Sequence, residues 1–321
     1  MEPAAGRSEG CRIFCIASAA YYPGVVATLN SLRLVGHGEE VQVLDCGLLP
    51  AQRRALAAHA TVVEAPRDVP PYLLKWALPA ASPAPVSVLL DSDVIVTDRL
   101  DRLVETAAAG AVVGVADRIV RRFRPEWGEL GLGPVEPRPY LNAGVVAVPA
   151  ARLGPLVEAV ERVLAGVDPA RGLFGGRPDV DYAFYFADQD ALNAVLATWP
   201  ADASVALDHE LAPFPPFPGL RLLDRRSLAV AYADGRRPLL LHHIGRKPWL
   251  ARTRRTVFSE LLPRVLLADD VTLRLDPAEL PLRLRGGAAA RGPELAAHLC
   301  GTLAAQRGRL GLRRAIAARL G

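Results

Sequence analysis

Apolar and polar positions fall into two alternating periods along the chain. Ile13-Phe14-Cys15-Ile16-Ala17 is a continuous apolar run of strand length, and residues 25–34 then repeat at helical spacing. Residues 41–44 and 61–63 predict a second and third strand, with a helix over 51–60 between them. A helical turn or two over 72–78 leads to Val88-Leu89-Leu90, a buried-strand run that ends in Asp91-Ser92-Asp93 and resumes as Val94-Ile95-Val96. A helix over 100–109 and strands over 112–115 and 140–148 follow. Next come a helix over 152–164 and one after Asp188-Gln189-Asp190, with Leu192, Val195, Leu196 and Trp199 on one face. A strand over 239–241 runs into His242-His243. Strands alternating with helices predict an α/β fold with a parallel sheet covered on both faces. Ligands of such sheets sit outside the carboxyl ends of the strands. That rule puts Ser18 to Tyr21 and Asp91-Ser92-Asp93 on one rim.

The acid pair is the centre of interest. Two carboxylates one residue apart at a strand tip repel each other and resist burial, so a cation is expected beside them. Hard carboxylate oxygens suit Mg²⁺ or Mn²⁺, ions that commonly also hold a substrate phosphate. A strand that simply ends in a polar turn is the plain alternative, and it has to be weighed against other motifs. Asn142-Ala143-Gly144 opens a strand with small residues, which suits close approach of a ligand to backbone or a simple bulge. An Asp at a helix start normally caps it, but Asp188-Gln189-Asp190 is more polar than a cap requires. Adjacent strand residues face opposite ways, so at most one of His242 and His243 looks into any one site. Gly245 and Lys247 follow within six residues and read as a phosphate-binding turn.

Composition narrows the class. The chain has 321 residues, 51% apolar and 22% charged, enough for a large core of a globular enzyme. No apolar run reaches membrane-spanning length, and residues 1–10 lack the apolar stretch of a secretory leader. These point to a cytoplasmic protein. Cys11, Cys15, Cys46 and Cys300 show no metal-ligand spacing and read as small buried thiols of a reducing compartment. A net charge of +4 is modest for this length and gives weak support at best for nucleic-acid binding, so no nucleic acid is expected as a partner. There is neither a Gly-x-Gly-x-x-Gly after the first strand nor a P-loop. Of 38 basic residues only Lys75 and Lys247 are lysines. Two positions that keep a compact point charge where every other cation is a planar fork stand out.

These motifs carry a resemblance. Asp91-Ser92-Asp93, Tyr140-Leu141-Asn142-Ala143-Gly144-Val145, Asp188-Gln189-Asp190-Ala191-Leu192-Asn193 and His242…Gly245…Lys247-Pro248-Trp249, in this order, resemble the family 8 glycosyltransferases. That is the retaining, metal-dependent family of glycogenin and the lipopolysaccharide galactosyltransferases, and the resemblance implies their GT-A fold, with a Rossmann-like, mostly parallel central sheet flanked by helices. The resemblance spans residues 11–250 and leaves 251–321 as a C-terminal helical extension. It implies transfer of a hexose from a nucleotide-diphosphate sugar, UDP favoured, to a hydroxyl acceptor such as a glycan or natural product. It implies Mn²⁺ or Mg²⁺ on Asp91, Asp93 and His242. Donor contacts are implied at Ser18, Tyr21, Lys75, Asp91, Ser92, Ala143, Gly144, Gly245 and Lys247, and catalytic roles at Asp188, Gln189 and Asn142. The chain departs from the pattern in a shortened His-to-Lys interval and in Ser18, where the family carries an acidic or amide base reader.

Two other classes compete. Leu90-Asp91-Ser92-Asp93 also fits the nucleophile strand of haloacid-dehalogenase-like phosphatases, although those carry it near the N-terminus and leave the later motifs unused. A catalytically silent nucleotide-sugar-binding protein would keep the same residues. Two segments look toward partners. The irregular stretch over 118–139 offers Arg118, Arg121, Arg122 and Arg124 to an acceptor or to solvent. The basic region over 293–320 is either a packed helix or a peripheral contact with anionic lipid. A homodimer is open.

Overall fold

The computed structural model describes residues 10–66, 74–117, 123–173 and 175–285. Strand β1 (Cys11–Ala17) sends Ile13, Cys15 and Ala17 into one core and Phe14 into another, the two-residue period of a strand buried on both faces. It lies parallel to β2 (Val41–Asp45) on one side and to β4 (Val86–Leu90) on the other, and β3 (Thr61–Glu64) extends the edge beyond β2. β4 pairs antiparallel with β7 (Leu141–Pro149), which in turn pairs antiparallel with β6 (Val112–Ala116). β8 (Ser204–Leu207) closes the order β3-β2-β1-β4-β7-β6-β8, parallel to β6. One reversed strand, β7, in an otherwise parallel sheet matches the expected mostly parallel α/β architecture.

β5 (Val94–Val96) leaves this sheet and pairs antiparallel with β11 (Leu240–His242). A separate hairpin joins β9 (Arg221–Asp224) to β10 (Ala229–Ala231). Pieces as short as β8, β9 and β10 carry too few apolar residues to show a period. They form because the rest of the fold supplies their partners.

Helices α1 (Tyr22–Leu34), α4 (Asp101–Ala108) and α7 (Val257–Leu267) cover one face, and α5 (Ala150–Leu164) and α6 (Asp188–Thr198) the other. α2 (Pro50–Ala57) and α3 (Ala77–Ala81) are shorter connections. α1 carries Pro23 in its first turn, where a missing N–H costs nothing. α7 starts on a capping box in which Thr256 and Ser259 bond each other's backbone N–H. α6 is buried from Asp190 to Ala197, all round rather than along one stripe. α7 is tied to α1 through Asn30, whose amide donates to the Val265 and Leu273 carbonyls at 2.6 and 2.7 Å and accepts from Leu273 N at 2.9 Å.

Of the four cysteines, Cys15 is buried, its thiol pushed up to about 12 by burial, whereas Cys11 and Cys46 are only half-buried. Cys300, Arg118, Arg121, Arg122 and the basic region over 293–320 lie outside the described residues. Among the described residues no helix is long and apolar enough to cross a membrane.

Candidate functional site

Strand pairing builds the site. The Asp91-Ser92-Asp93 turn joins β4 to β5, and β11 pairs with β5 so that His242 lies opposite Val94, one residue past Asp93. The His243 N–H donates to the Asp93 carbonyl at 2.9 Å and extends that register. On the other side, Asp91 N–H donates to the Gly144 carbonyl at 2.9 Å, continuing the β4–β7 ladder. Two sheet edges therefore converge on three residues of cation-coordinating type. One ligand atom from each of Asp91, Asp93 and His242 lies within 4.8 Å of the others. His242 Nε2 is 3.2 Å from Asp93 Oδ1 and 3.6 Å from Asp91 Oδ2. Its neighbour His243 turns away, with its ring against Phe258 and Phe217. One histidine faces the acids, as strand alternation requires.

The two lysines meet the same two acids. Lys75, only 7% exposed, donates to Asp91 Oδ1 and to the Ala143 carbonyl, both at 2.6 Å, and lies 3.6 Å from Asp188 Oδ2. Burial works to discharge this ammonium, but Asp91, Asp188 and Asp93 outweigh it and hold its pKa above the usual lysine value. Lys247, equally buried, donates to Asp93 Oδ2 and to the His243 carbonyl. Burial also opposes the charge on Asp93, and His242 and Lys247 overcome it, holding that carboxyl well below the usual range. Asp188 behaves differently. Burial pushes its pKa up to about 6, Lys75 pulling it down and Asp91 pushing it further up.

Around this cluster the remaining predicted residues take definite places. Gly144 is the floor. A Cβ there would stand 2.2 Å from His242 Cε1 and 2.9 Å from Asp91 Oδ2, closer than real side chains approach. Gly24 plays the same part on α1, where a Cβ would meet the Ser92 carbonyl at 1.9 Å and the Trp249 ring at 2.8 Å. Trp249 donates its indole N–H to the Ala20 carbonyl at 2.9 Å, and Tyr21 packs edge-on against it with centroids 6.4 Å apart. Lys247 Nζ lies 5.8 Å from the Tyr21 ring. Ser18 precedes that turn at the end of β1, and its carbonyl accepts from Tyr21 N–H. Gly245 turns the chain with φ +78° between His242 and Lys247.

Asn142, Ala143 and Gln189 are joined directly. Gln189 Oε1 accepts from Asn142 Nδ2 at 3.0 Å and from Ala143 N–H at 3.1 Å. Asn142 Oδ1 accepts from Gly144 N–H at 2.9 Å. Three residues beyond the sequence-based set also belong here. Asp117, just past β6, accepts from both Asn142 and Gln189. Asp190 accepts from the Tyr140 hydroxyl and from Phe186 N–H, both at 2.7 Å, and fixes the start of α6. Asn193 accepts from Leu141 N–H and donates to its carbonyl, at 2.7 and 2.9 Å, pinning α6 to β7. In the sequence Asp117 shows only as a single acid after a strand, which any turn could carry.

Comparison with solved structures follows the same lines. The galactosyltransferase LgtC, solved in complex with donor and acceptor sugar analogs, superposes with a TM-score of 0.53 at 19% identity over 81% of this chain and 98% of its own. An active-site mutant of LgtC gives 0.56 at 18% identity with the same coverage. The chain has a glycosyltransferase fold. WbbM, a bifunctional glycosyltransferase, gives 0.56 at 17% identity, with 82% of this chain matching 50% of its length. The apo form of GlyE from Streptococcus pneumoniae TIGR4 gives 0.51 at 15% identity, over 81% of this chain and 61% of its own. No protein-family profile matches the sequence, and none of the curated proteins does. At these identities what is shared is the fold, so chemistry has to be argued from the site.

Proposed function

We propose that this chain is a metal-dependent retaining glycosyltransferase that moves a hexose from a nucleotide-diphosphate sugar, UDP favoured, to a hydroxyl acceptor. The observation that carries it is the convergence of Asp91, Asp93 and His242 within 4.8 Å at the carboxyl edge of the sheet. Two carboxylates and one imidazole are a donor set suited to Mn²⁺ or Mg²⁺. The glycine floor at Gly144 supports this use, because it leaves space where any side chain would press on two of the three ligands. Asp93 Oδ1 is buried and faces His242 Nε2 at 3.2 Å, with no well-aligned hydrogen bond among the described residues. When bound, the ion supplies charge neutralisation to the departing diphosphate.

This chain's own residues do the rest. Lys247, with the turn at Gly245, adds a point charge for the diphosphate. Tyr21 stacks on the base and Ser18 lies beside it, with Ser92 at the same rim. Lys75, Ala143 and Gly144 line the donor sugar, and Asp188 holds its hydroxyls. Asn142 and Gln189 face the reacting carbon. Retention then proceeds on one face: the acceptor oxygen bonds to the anomeric carbon as the diphosphate oxygen leaves, and the acceptor's proton passes to that phosphate. Positioning and fixed charges supply most of the rate. Residues 11–250 form the catalytic unit and 251–321 its extension.

The test is a panel of nucleotide sugars, read as release of nucleoside diphosphate with and without Mn²⁺. Slow release that needs the metal and disappears in Asp93→Ala is expected. Turnover unchanged in Asp93→Ala removes the assignment, and robust metal-dependent cleavage of aryl phosphates would reassign the site to phosphatase chemistry.

A further inference from the structure

The donors and acceptors around Gln189 permit one orientation of its amide. Ala143 N–H is a backbone donor, so the Gln189 atom 3.1 Å from it must be the oxygen. Asp117 Oδ2, an acceptor, lies 3.2 Å from the other terminal atom, which must be the nitrogen. Asn142 obeys the same logic: its oxygen accepts from Gly144 N–H, so its nitrogen faces Gln189 Oε1 and Asp117 Oδ2. Turning the Gln189 amide over would set its NH₂ against the Ala143 and Asn142 donors and its oxygen against a carboxylate. Three favourable contacts would become three unfavourable ones. Both lone pairs of Oε1 are thus committed to β7 and Asn142. Nε2 spends one hydrogen on Asp117, and its second has no acceptor among the described residues.

Resting on the glycosyltransferase assignment, we propose that Asp117 is a positioning residue that locks Gln189 as a hydrogen-bond donor to the substrate. The Gln189 oxygen is then unavailable as a nucleophile. Asp117 acts on the reaction through the two amides it holds, so it sets the rate of the chemical step more than donor affinity.

Four variants test this: Asp117→Ala, Asp117→Asn, Gln189→Glu and the double variant Asp117→Asn/Gln189→Glu. Asp117→Ala removes the acceptor that holds the nitrogens of Gln189 and Asn142 in place, and kcat should fall by at least about tenfold with the donor KM within about threefold. Asp117→Asn keeps an oxygen for the shared position and should retain at least about a fifth of kcat. Gln189→Glu sets two carboxylates against each other and removes the substrate donor, so it should lose both activity and stability. In the double variant the amide introduced at position 117 can donate to the carboxylate introduced at position 189. Its unfolding midpoint should recover by about 3 °C or more over Gln189→Glu while kcat stays low. The proposal is overturned by wild-type kcat in Asp117→Ala, or by Gln189→Glu at or above wild-type kcat. It is equally overturned by a sugar adduct on residue 189 in intact-mass spectra, or by a double variant no more stable than Gln189→Glu. If the wild-type chain releases nucleoside diphosphate from no donor, the glycosyltransferase assignment fails instead. The unfolding midpoints then decide the Asp117–Gln189 coupling alone.

Discussion

His242 Nε2 lies 3.2 Å from Asp93 Oδ1, although the two residues are far apart in the sequence. What joins them is one antiparallel register, in which β11 lays His242 opposite Val94. The cluster is therefore a product of the backbone ladder and has little freedom to open. Its remaining wall is Gly144, from a third strand.

Gly144→Ala should accordingly be severe for its size. The new methyl would stand 2.2 Å from His242 Cε1 and 2.9 Å from both Asp91 Oδ2 and Asn142 Oδ1. The neighbours are held by strand register and hydrogen bonds, so they yield only with strain, at a cost of about 1–3 kcal/mol. Mn²⁺-dependent binding of a nucleoside diphosphate, read by calorimetry, should fall by at least about tenfold, or about 1.4 kcal/mol. Wild-type affinity in this variant would mean that the acids and His242 do not share a ligand.

Lys75 supports a second expectation. Its ammonium satisfies Asp91 Oδ1 and the Ala143 carbonyl and lies within 3.6 Å of Asp188. Lys75→Met leaves Asp91 and Asp188 facing each other without compensation. Asp91 is 39% exposed, and water relieves part of the loss. The expected destabilisation by urea unfolding is about 1–3 kcal/mol, below the roughly 3–5 kcal/mol typical of fully buried pairs. Lys75→Arg should not restore nucleotide-sugar turnover, because a planar fork cannot replace a point charge in so closed a space. Full activity in Lys75→Arg would show that position 75 needs only a cation.

The features that periodicity exposes were legible in the chain. The run of Val88-Leu89-Leu90 into an acid pair revealed both a central strand and the rim where chemistry would sit. Alternation alone showed that at most one of His242 and His243 faces the acids, and the resemblance singled out His242. Asp190 was harder, since one acid of Asp188-Gln189-Asp190 had to be structural, and only the Tyr140 hydroxyl and Phe186 N–H show which. Asp117 went unread because a single acid after a strand looks like any turn until Asn142 and Gln189 arrive from distant segments. β9 and β10 could not be read at all, because three- and four-residue strands owe their pairing to tertiary context.

Asn30 yields a prediction remote from the chemistry. Its fully buried amide closes three hydrogen bonds to the backbone at Val265 and Leu273, joining α1 to the segment after α7. Asn30→Leu fills similar volume but leaves two carbonyls and one N–H without their partner. Each unsatisfied buried group costs about 1–3 kcal/mol, part of which relaxation and water recover, so a loss of about 2–4 kcal/mol is expected in chemical denaturation. The proton-exchange protection of the Leu273 amide should fall with it. A change below about 0.5 kcal/mol, the ordinary scatter of surface substitutions, would mean that this segment does not depend on α1.

His243 gives the pH dependence of folding. Burial among Phe217 and Phe258 pushes its pKa down to about 4, from the ordinary 6.5, with Lys247 adding to the fall. A depressed imidazole pKa means that the unfolded chain takes up the proton first. Between pH 6.5 and about 4 the unfolded state binds more protons at this residue, so stability rises with pH across that window and is lost as pH falls through it. One group contributes at most about 1.4 kcal/mol per pH unit. His243→Phe removes the titrating group and keeps the ring packing, so the difference between its stability and that of the wild type should shift steadily in its favour from pH 6.5 down to about 4. Parallel stability curves for the two proteins over that range would show that His243 titrates normally in the folded chain.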